Sequence, residues 1–193
     1  MTITNDPPVT HGRAAGDVVR RLLRGLLYCA GLIPLSAAAL VAVLGGRPAT
    51  ADGWMRGWQR RILRATPAAP PSERVATVAA NAAVGVLLGV LALVPLGLQI
   101  LFVARGVFYG FVDPGPYDTS WGGPSRSGAW AMHFLVAVPG AGVGLLMLAG
   151  LAALHLAWSR RLAGQRGGRW LLPVTVLISV AVAVFFVAWT RQI

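Results

Sequence analysis

Four stretches of the chain contain no Asp, Glu, Lys or Arg, and each is long enough to cross a membrane as a helix. The stretches are residues 25–46, 75–104, 127–159 and 170–190. About 20 apolar residues suffice to span the hydrocarbon core of a bilayer. Only 12% of the residues are charged, whereas soluble domains average about 25%. The pattern predicts an all-α, polytopic helical membrane protein with three or four transmembrane helices, and it excludes a soluble globule, a collagen and a disordered chain.

The distribution of arginine predicts how the two central stretches are oriented. All 17 basic residues are arginine, and ten of them lie in the segments 47–74 and 160–169. Cytoplasmic flanks of spans are enriched in basic residues, so both segments are expected on the cytoplasmic side. The loop 105–126 has two arginines, balanced by Asp113 and Asp118. This loop is therefore expected to be extracytoplasmic in a multi-pass protein of the cell membrane.

The first stretch fits this orientation poorly, because arginines lie on both sides of it. Residues 1–24 are predicted to form a polar, basic tail, and residues 25–193 a single helical membrane domain. Three interpretations of 25–46 stay open: a crossing with the N-terminus outside, a re-entrant turn, or a signal sequence. Pro34 would permit the turn, and Ala49-Thr50-Ala51 resembles a cleavage site. The side of the N-terminus is left undecided.

Residues 53–65 are predicted to form an amphipathic helix that lies on the membrane surface. At 100° per residue, two tryptophans share one face of this helix and three arginines occupy the opposite face, with Arg61 at the border. Such a helix suits anionic lipid headgroups, and it also serves simply as a topology anchor. The residues assigned to headgroup binding are Trp54, Arg56, Trp58, Arg60, Arg61 and Arg64.

Small and polar residues form one stripe on each of the two central stretches. Each stripe contains a GxxxG pattern, whose small residues let helix backbones approach closely in lipid. The residues assigned to helix packing are Asn81, Gly85, Gly89, Gln99, Gly140, Gly144 and His155. The predicted antiparallel contacts are Gln99 with His133, Ala92 with Gly140, Gly89 with Gly144, and Asn81 with His155.

Several classes of chemistry lack the residues that they need. Cys29 is the only cysteine, so neither an internal disulfide nor a thiolate metal cluster can form. His133 and His155 are 22 residues apart, about 33 Å along a helix, so they cannot share a metal. No catalytic residue, metal or cofactor is expected, and an intramembrane enzyme using Ser125 and His133 is the least supported interpretation. The basic charge lies beside spans and tryptophans, which favours lipid headgroups over nucleic acid as its partner.

The loop 105–126 and the residues after it are rich in aromatic, proline and glycine residues. Such a loop caps the helices or holds a small extracytoplasmic signal. The residues assigned to the signal site are Tyr117, Asp118, Trp121, Trp130 and His133.

Part of this loop resembles a known family. Trp121-Gly-Gly-Pro124, followed by Gly128-Ala129-Trp130 and His133, is similar to the W-G-G-P-x-x-x-G-A-W-x-x-H segment of a membrane-embedded sensor domain. That domain is found ahead of actinobacterial histidine kinases and as stand-alone proteins. The resemblance implies a sensory module whose loop lies outside the cell. The family usually begins with a two-span hairpin, whereas this chain has one stretch there and 170–190 in place of a kinase.

The leading expectation is a non-catalytic, sensor-like or regulatory membrane module. It would relay an extracytoplasmic or membrane signal to a membrane or cytoplasmic protein partner. The alternative is an accessory or structural subunit of a larger membrane transporter or enzyme complex. The ligand, the partner and the oligomeric state are left open.

Overall fold

A computed structural model describes residues 11–66, 72–165 and 168–191, and every regular element in these ranges is a helix. The prediction of an all-α chain is confirmed. The first ten residues of the predicted tail lie outside the described residues, as do 67–71 and 166–167 of the two basic segments.

The N-terminal part of the chain forms two helices that meet at an angle. Helix α1 spans His11–Ala30 and helix α2 spans Leu32–Leu44, with a bend of 45° at the break between them. The helix begins at His11, within the segment predicted to be a tail, and an ion pair between Asp17 and Arg20 supports its exposed face.

Helix α2 packs antiparallel against α4 (Val75–Leu101). At this interface Gly89 lies against Ile33, and Gly85 lies against Ser36. Helix α4 continues through Phe102–Val107 in the wider π-helical conformation, and a short helix α5 (Tyr109–Val112) follows. The predicted loop 105–126 is therefore helical in its first part.

Helix α6 (Arg126–Leu162) packs along α4, but the predicted contacts between them are largely wrong. Gln99 Nε2 donates to the Ala141 carbonyl oxygen at 3.1 Å, whereas the His133 ring bonds to the Ala129 carbonyl oxygen of its own helix. This places Gln99 eight residues, or about 12 Å, from its predicted partner. Only Asn81 and His155 lie close together as predicted, and they do so through the backbone: His155 Nε2 lies 3.4 Å from the main-chain carbonyl oxygen of Asn81.

The glycine contacts of the predicted stripe are also different, and the reason is α2. The face of α4 that carries Gly85 and Gly89 is occupied by α2, a helix that the pairwise prediction left out. Gly144 faces the Pro95 carbonyl oxygen and the Gln99 side chain instead of Gly89. A Cβ atom added at Gly140 would meet no atom within 4 Å, so this residue is not in close contact with a neighbouring helix.

Helix α7 (Leu171–Thr190) coincides with the predicted fourth stretch but contacts the rest of the chain mainly near its start. Leu171 and Thr175 are buried, and Thr175 Oγ1 accepts a hydrogen bond of 2.9 Å from Trp158 Nε1. Most of the described residues after Thr175 are exposed or only partly buried.

By length and composition, two helices are able to cross a membrane: Val75–Val107 and Arg126–Leu162. The bent pair α1–α2 makes a third if it is one span, and the described apolar part of α7, Leu171–Val184, is shorter than a full crossing. These helices are consistent with a membrane protein.

The two glycines of the α6 motif are expected to respond differently to the same substitution. Gly144→Leu is expected to lower the free energy of unfolding by about 2 kcal/mol, because its side chain would collide with Gln99 and with the Pro95 carbonyl oxygen. Gly140→Leu is expected to change it by less than about 1 kcal/mol. Thermal unfolding in detergent measures both, and equal losses would contradict the observed register.

Candidate functional site

A cavity of about 680 Å³ lies where the loop between α5 and α6 covers the adjoining ends of α4 and α6. We call it the Trp121 cavity. Its apolar wall comes from both long helices, and its polar wall comes from the end of α4, from α5 and from the loop. The apolar wall includes Leu98, Leu101, Phe102, Val136 and Ala137. The polar wall includes Arg105, Tyr109, Asp113, Ser120 and His133.

His133 is held in the polar wall by two contacts. Its ring stacks on Tyr109 with a centroid distance of 3.7 Å and an interplanar angle of 10°. Its Nδ1 lies 2.8 Å from the Ala129 carbonyl oxygen, which accepts the Nδ1 proton. This bond fixes the tautomer, so Nε2 of the neutral ring is an acceptor.

Two further polar groups of the cavity have no direct partner. Arg105 is exposed and forms no ion pair or hydrogen bond with the residues that the structure describes. The Ser120 hydroxyl oxygen is buried and likewise has no hydrogen-bond partner among them. A buried hydroxyl without a partner costs free energy, so this wall can gain by hydrogen bonding to a ligand.

The predicted signal residues divide into three groups. Trp121 and His133 line the cavity, and Trp121 is 84% exposed at its rim. Tyr117 and Trp130 instead hold the loop: Tyr117 Oη donates to the Asp113 carbonyl oxygen at 2.6 Å, and Trp130 Nε1 donates to the Val107 carbonyl oxygen at 3.0 Å. Asp118 is exposed and is not part of the lining.

Four polar residues of the cavity wall were not assigned to the site from the sequence: Arg105, Tyr109, Asp113 and Ser120. Arg105 and Asp113 were treated only as balanced loop charges, although Arg105 follows directly after the uncharged stretch. Its position at the end of α4 depends on the π-helical extension. Ser125, considered with His133 as a hydrolase pair, caps α6 by accepting a hydrogen bond from the Gly128 amide, and it does not bond to His133.

Asp113 gives the loop a dependence on pH. The Gly115 amide donates to Asp113 Oδ1 at 3.0 Å, and this bond, with a smaller contribution from the Tyr109 hydroxyl, holds the pKa of the carboxyl below its ordinary value of 3.8. A carboxyl whose pKa is lowered by folding stabilises the fold above its unfolded pKa, and this contribution is lost as the pH falls through its folded pKa.

We therefore expect the loop to loosen below about pH 4. Hydrogen-exchange protection of the Gly115 amide, corrected for intrinsic rates, should fall as the pH falls through this range. In Asp113→Asn the protection should be low and independent of pH. A wild-type profile that matches the asparagine variant would contradict the assignment.

A second polar cluster is buried where α1, α4 and α6 meet. Tyr28 Oη donates to His155 Nδ1 at 2.5 Å, and His155 Nε2–H points to the Asn81 carbonyl oxygen. Ser159 Oγ donates to Asn81 Oδ1 at 2.9 Å and accepts from Gln59 Nε2 at 2.8 Å. We call these five residues the buried junction. Only Asn81 and His155 were predicted from the sequence, because no contact was predicted for the elements of Tyr28 and Gln59, and Ser159 was not assigned to the stripe on 127–159.

The apolar face of the predicted surface helix packs partly against the protein and not only toward the membrane. Helix α3 spans Pro48–Trp58 and continues as a π-helical turn, Gln59–Leu63. Met55 is buried under α2, and Trp58 packs against Gly31, so both apolar residues face the protein. Trp54 is exposed, as are Arg60, Arg61 and Arg64, whereas Arg56 pairs with Asp52. Only the residues from Gln59 onward depart from the 100° repeat, because the π-helical turn begins there.

Comparison of the chain with models of known protein families, with curated proteins and with solved structures finds no match.

Proposed function

We propose that the chain is a non-catalytic membrane sensor module that receives an extracytoplasmic or membrane signal in the Trp121 cavity. One observation carries the proposal: the cavity combines an apolar wall with polar groups that lack direct partners, Arg105 and Ser120. Ligand sites are typically concave and mostly apolar, with a few polar groups that fix orientation. A small amphiphilic ligand with an anionic or acceptor-rich head suits this combination.

The distribution of arginine supports the orientation of the module. The segments 47–74 and 160–169 are cytoplasmic in this proposal, and the loop that carries Trp121 is extracytoplasmic. The resemblance of the Trp121–His133 segment to the sensor domain of actinobacterial histidine kinases agrees with both assignments.

The proposed relay uses the two helices that share the cavity. A ligand between α4 and α6 favours the arrangement that binds it better, and so shifts the population of the two helices. The far ends of both helices adjoin the basic segments, where a membrane or cytoplasmic partner protein would detect the change. The headgroup contacts of Trp54, Arg60, Arg61 and Arg64 with anionic lipid would hold this end at the membrane surface.

Cysteine accessibility tests the orientation. In a Cys29→Ser background, single cysteines at Ser120 and Gln165 are expected to react with a membrane-impermeant maleimide from opposite sides of the membrane. Labelling of both from the same side would contradict the proposal.

A filled-cavity variant tests the relay. Gly140→Trp places an indole in the cavity without a collision at the Cβ position, and Gly142→Trp is the control on the same helix, where the Cβ position is also open and outside the lining. With spin labels at Ser72 and Gln165, the cavity variant should shift the measured distance by about 1–2 Å, and the control should not. Equal shifts, or none, would contradict the relay.

An accessory subunit of a larger complex is the second candidate, and α7 is the observation that favours it. This helix is apolar, and most of its described side chains after Thr175 are exposed or partly buried. Under this alternative, stable co-purification with a partner complex would depend on α7, whereas changes in the Trp121 cavity would have no effect on assembly.

A further inference from the structure

We propose that a second cavity, at the other ends of α4 and α6, is a binding site for a phosphate group. This cavity of about 650 Å³ lies between the end of α3, the start of α4 and the end of α6. We call it the arginine cavity, because its lining includes Arg56, Arg60, Arg74 and Arg160. The site is separate from the Trp121 cavity and does not depend on the proposed sensor function.

Positive charge predominates in the lining. Four arginines face two carboxylates, Asp52 and Glu73. Asp52 is already occupied, since its Oδ2 accepts from Arg56 Nε at 2.5 Å and from the Ser72 amide at 2.8 Å. Within the described residues, Arg60, Arg74 and Arg160 form no ion pair. Three guanidinium groups are therefore available to an anion.

The start of α4 adds backbone donors on the same side. The helix begins at Val75, and no side chain caps it and no acidic residue stands in its first turn. The first N–H groups of a helix have no partner within the helix and carry a partial positive charge. Arg74 at the N-cap and Thr77 in the first turn both line the cavity.

A buried amide in the lining points independently to an acceptor-rich ligand. Asn81 is 8% exposed and contributes to the cavity wall. Its Oδ1 accepts from Ser159, but its Nδ2 donates no hydrogen bond to any described residue. The Nδ2 group is not among the fully buried unpaired atoms of the described residues, so it is accessible from the cavity and can donate to a phosphate oxygen there.

Phosphate is the anion that best fits this set of donors. Guanidinium groups bind phosphate through paired hydrogen bonds, and helix N-termini favour the same group. The phosphate would belong either to a lipid headgroup or to a soluble phosphorylated compound, since the cavity is open and adjoins the predicted surface helix.

Binding by the full-length chain in phosphatidylcholine nanodiscs tests the proposal. Calorimetric titration with pyrophosphate tests a soluble source, and native mass spectrometry of nanodiscs that contain phosphatidic acid tests a lipid source. The variant Arg74→Gln with Arg160→Gln should weaken whichever probe binds by about tenfold or more. The matched control, Arg21→Gln with Arg169→Gln, removes the same charge from exposed residues outside the lining and should change binding by less than about twofold.

Asn81→Asp provides a third variant. It keeps the acceptor for Ser159 and replaces the unpaired donor by a carboxylate, so it should abolish binding while thermal unfolding shows a folded chain. Binding of pyrophosphate identifies a soluble phosphate, and binding of phosphatidic acid alone identifies a headgroup. The proposal is overturned if neither probe binds, if the control pair loses as much affinity as the cavity pair, or if a folded Asn81→Asp binds as the wild type does.

Discussion

Gly85→Val is expected to lower the free energy of unfolding by about 3 kcal/mol or more, which is a large fraction of the stability of a typical domain. A Cβ atom at Gly85 would collide with Ser36 Oγ and would lie 3.1 Å from Ser36 Cβ and 3.2 Å from His155 Nε2. Ser36 belongs to α2 and His155 to α6, and both are fully buried. The valine would therefore push apart three helices at one point.

Gly97→Val is the matched control for this substitution. Gly97 lies on the same helix, and a Cβ atom there meets nothing within 4 Å. Because both variants carry the same change in helix propensity, the difference between their unfolding temperatures in detergent isolates the collision. If the two variants melt together, α2, α4 and α6 do not meet at Gly85.

His155→Leu is expected to lower the free energy of unfolding by about 3 kcal/mol. His155 is fully buried, and its ring links the Tyr28 hydroxyl on α1 with the Asn81 carbonyl on α4. Leucine fills much of the space but neither donates nor accepts a hydrogen bond. The Tyr28 hydroxyl would then be left in the core without its acceptor, which is the costly part of the change.

A double-mutant cycle with Tyr28→Phe measures this interaction. Once the Tyr28 hydroxyl has been removed, His155→Leu no longer leaves that hydroxyl without an acceptor. The double variant should therefore be more stable, by about 1–2 kcal/mol, than the sum of the two single losses predicts. Thermal or denaturant unfolding in detergent provides the values. Strictly additive losses would show that the hydrogen bond between Tyr28 and His155 does not contribute to stability.

The helices themselves were largely predictable, because long uncharged stretches have few alternatives to the helix. The third stretch, 127–159, lies within α6, Arg126–Leu162, and the fourth, 170–190, nearly coincides with α7. The second stretch lies within α4 and its extension. The boundary after it was wrong because Arg105 looks like the start of a loop, while the backbone continues as a π-helix to Val107.

The packing was predictable only where the chain offers a polar group with few possible partners. Asn81 and His155 were correctly predicted to lie close together, since both are costly to bury alone, but the Asn81 side chain bonds to Ser159 and His155 contacts the Asn81 main-chain carbonyl. Gly89 was assigned to the wrong helix, and Gly85 lies against α2 as well as α6, because a small residue indicates a close approach but does not indicate which helix approaches. Helix α2, which has no distinctive pattern of its own, takes that position.

Of the two candidate sites, one was predicted in part from the sequence and the other was not. Trp121 and His133 were identified from the aromatic loop, and both line the Trp121 cavity. The arginine cavity was not foreseen, because its residues come from three segments that are far apart in the sequence and meet only after α3 and α6 have folded against α4. From the sequence, Arg56 and Arg60 had been assigned to lipid headgroups, and Arg74 and Arg160 only to orientation.

The buried junction also dictates the order in which the molecule can be completed during synthesis. Tyr28 and Asn81 are translated before α6, yet both obtain their partners from His155 and Ser159 near its end. Before α6 has left the ribosome, Tyr28 and Asn81 therefore lack the hydrogen-bond partners that they have in the folded chain. The final turns of α6 complete the assembly, because they carry the hydrogen-bond partners of Tyr28 and Asn81.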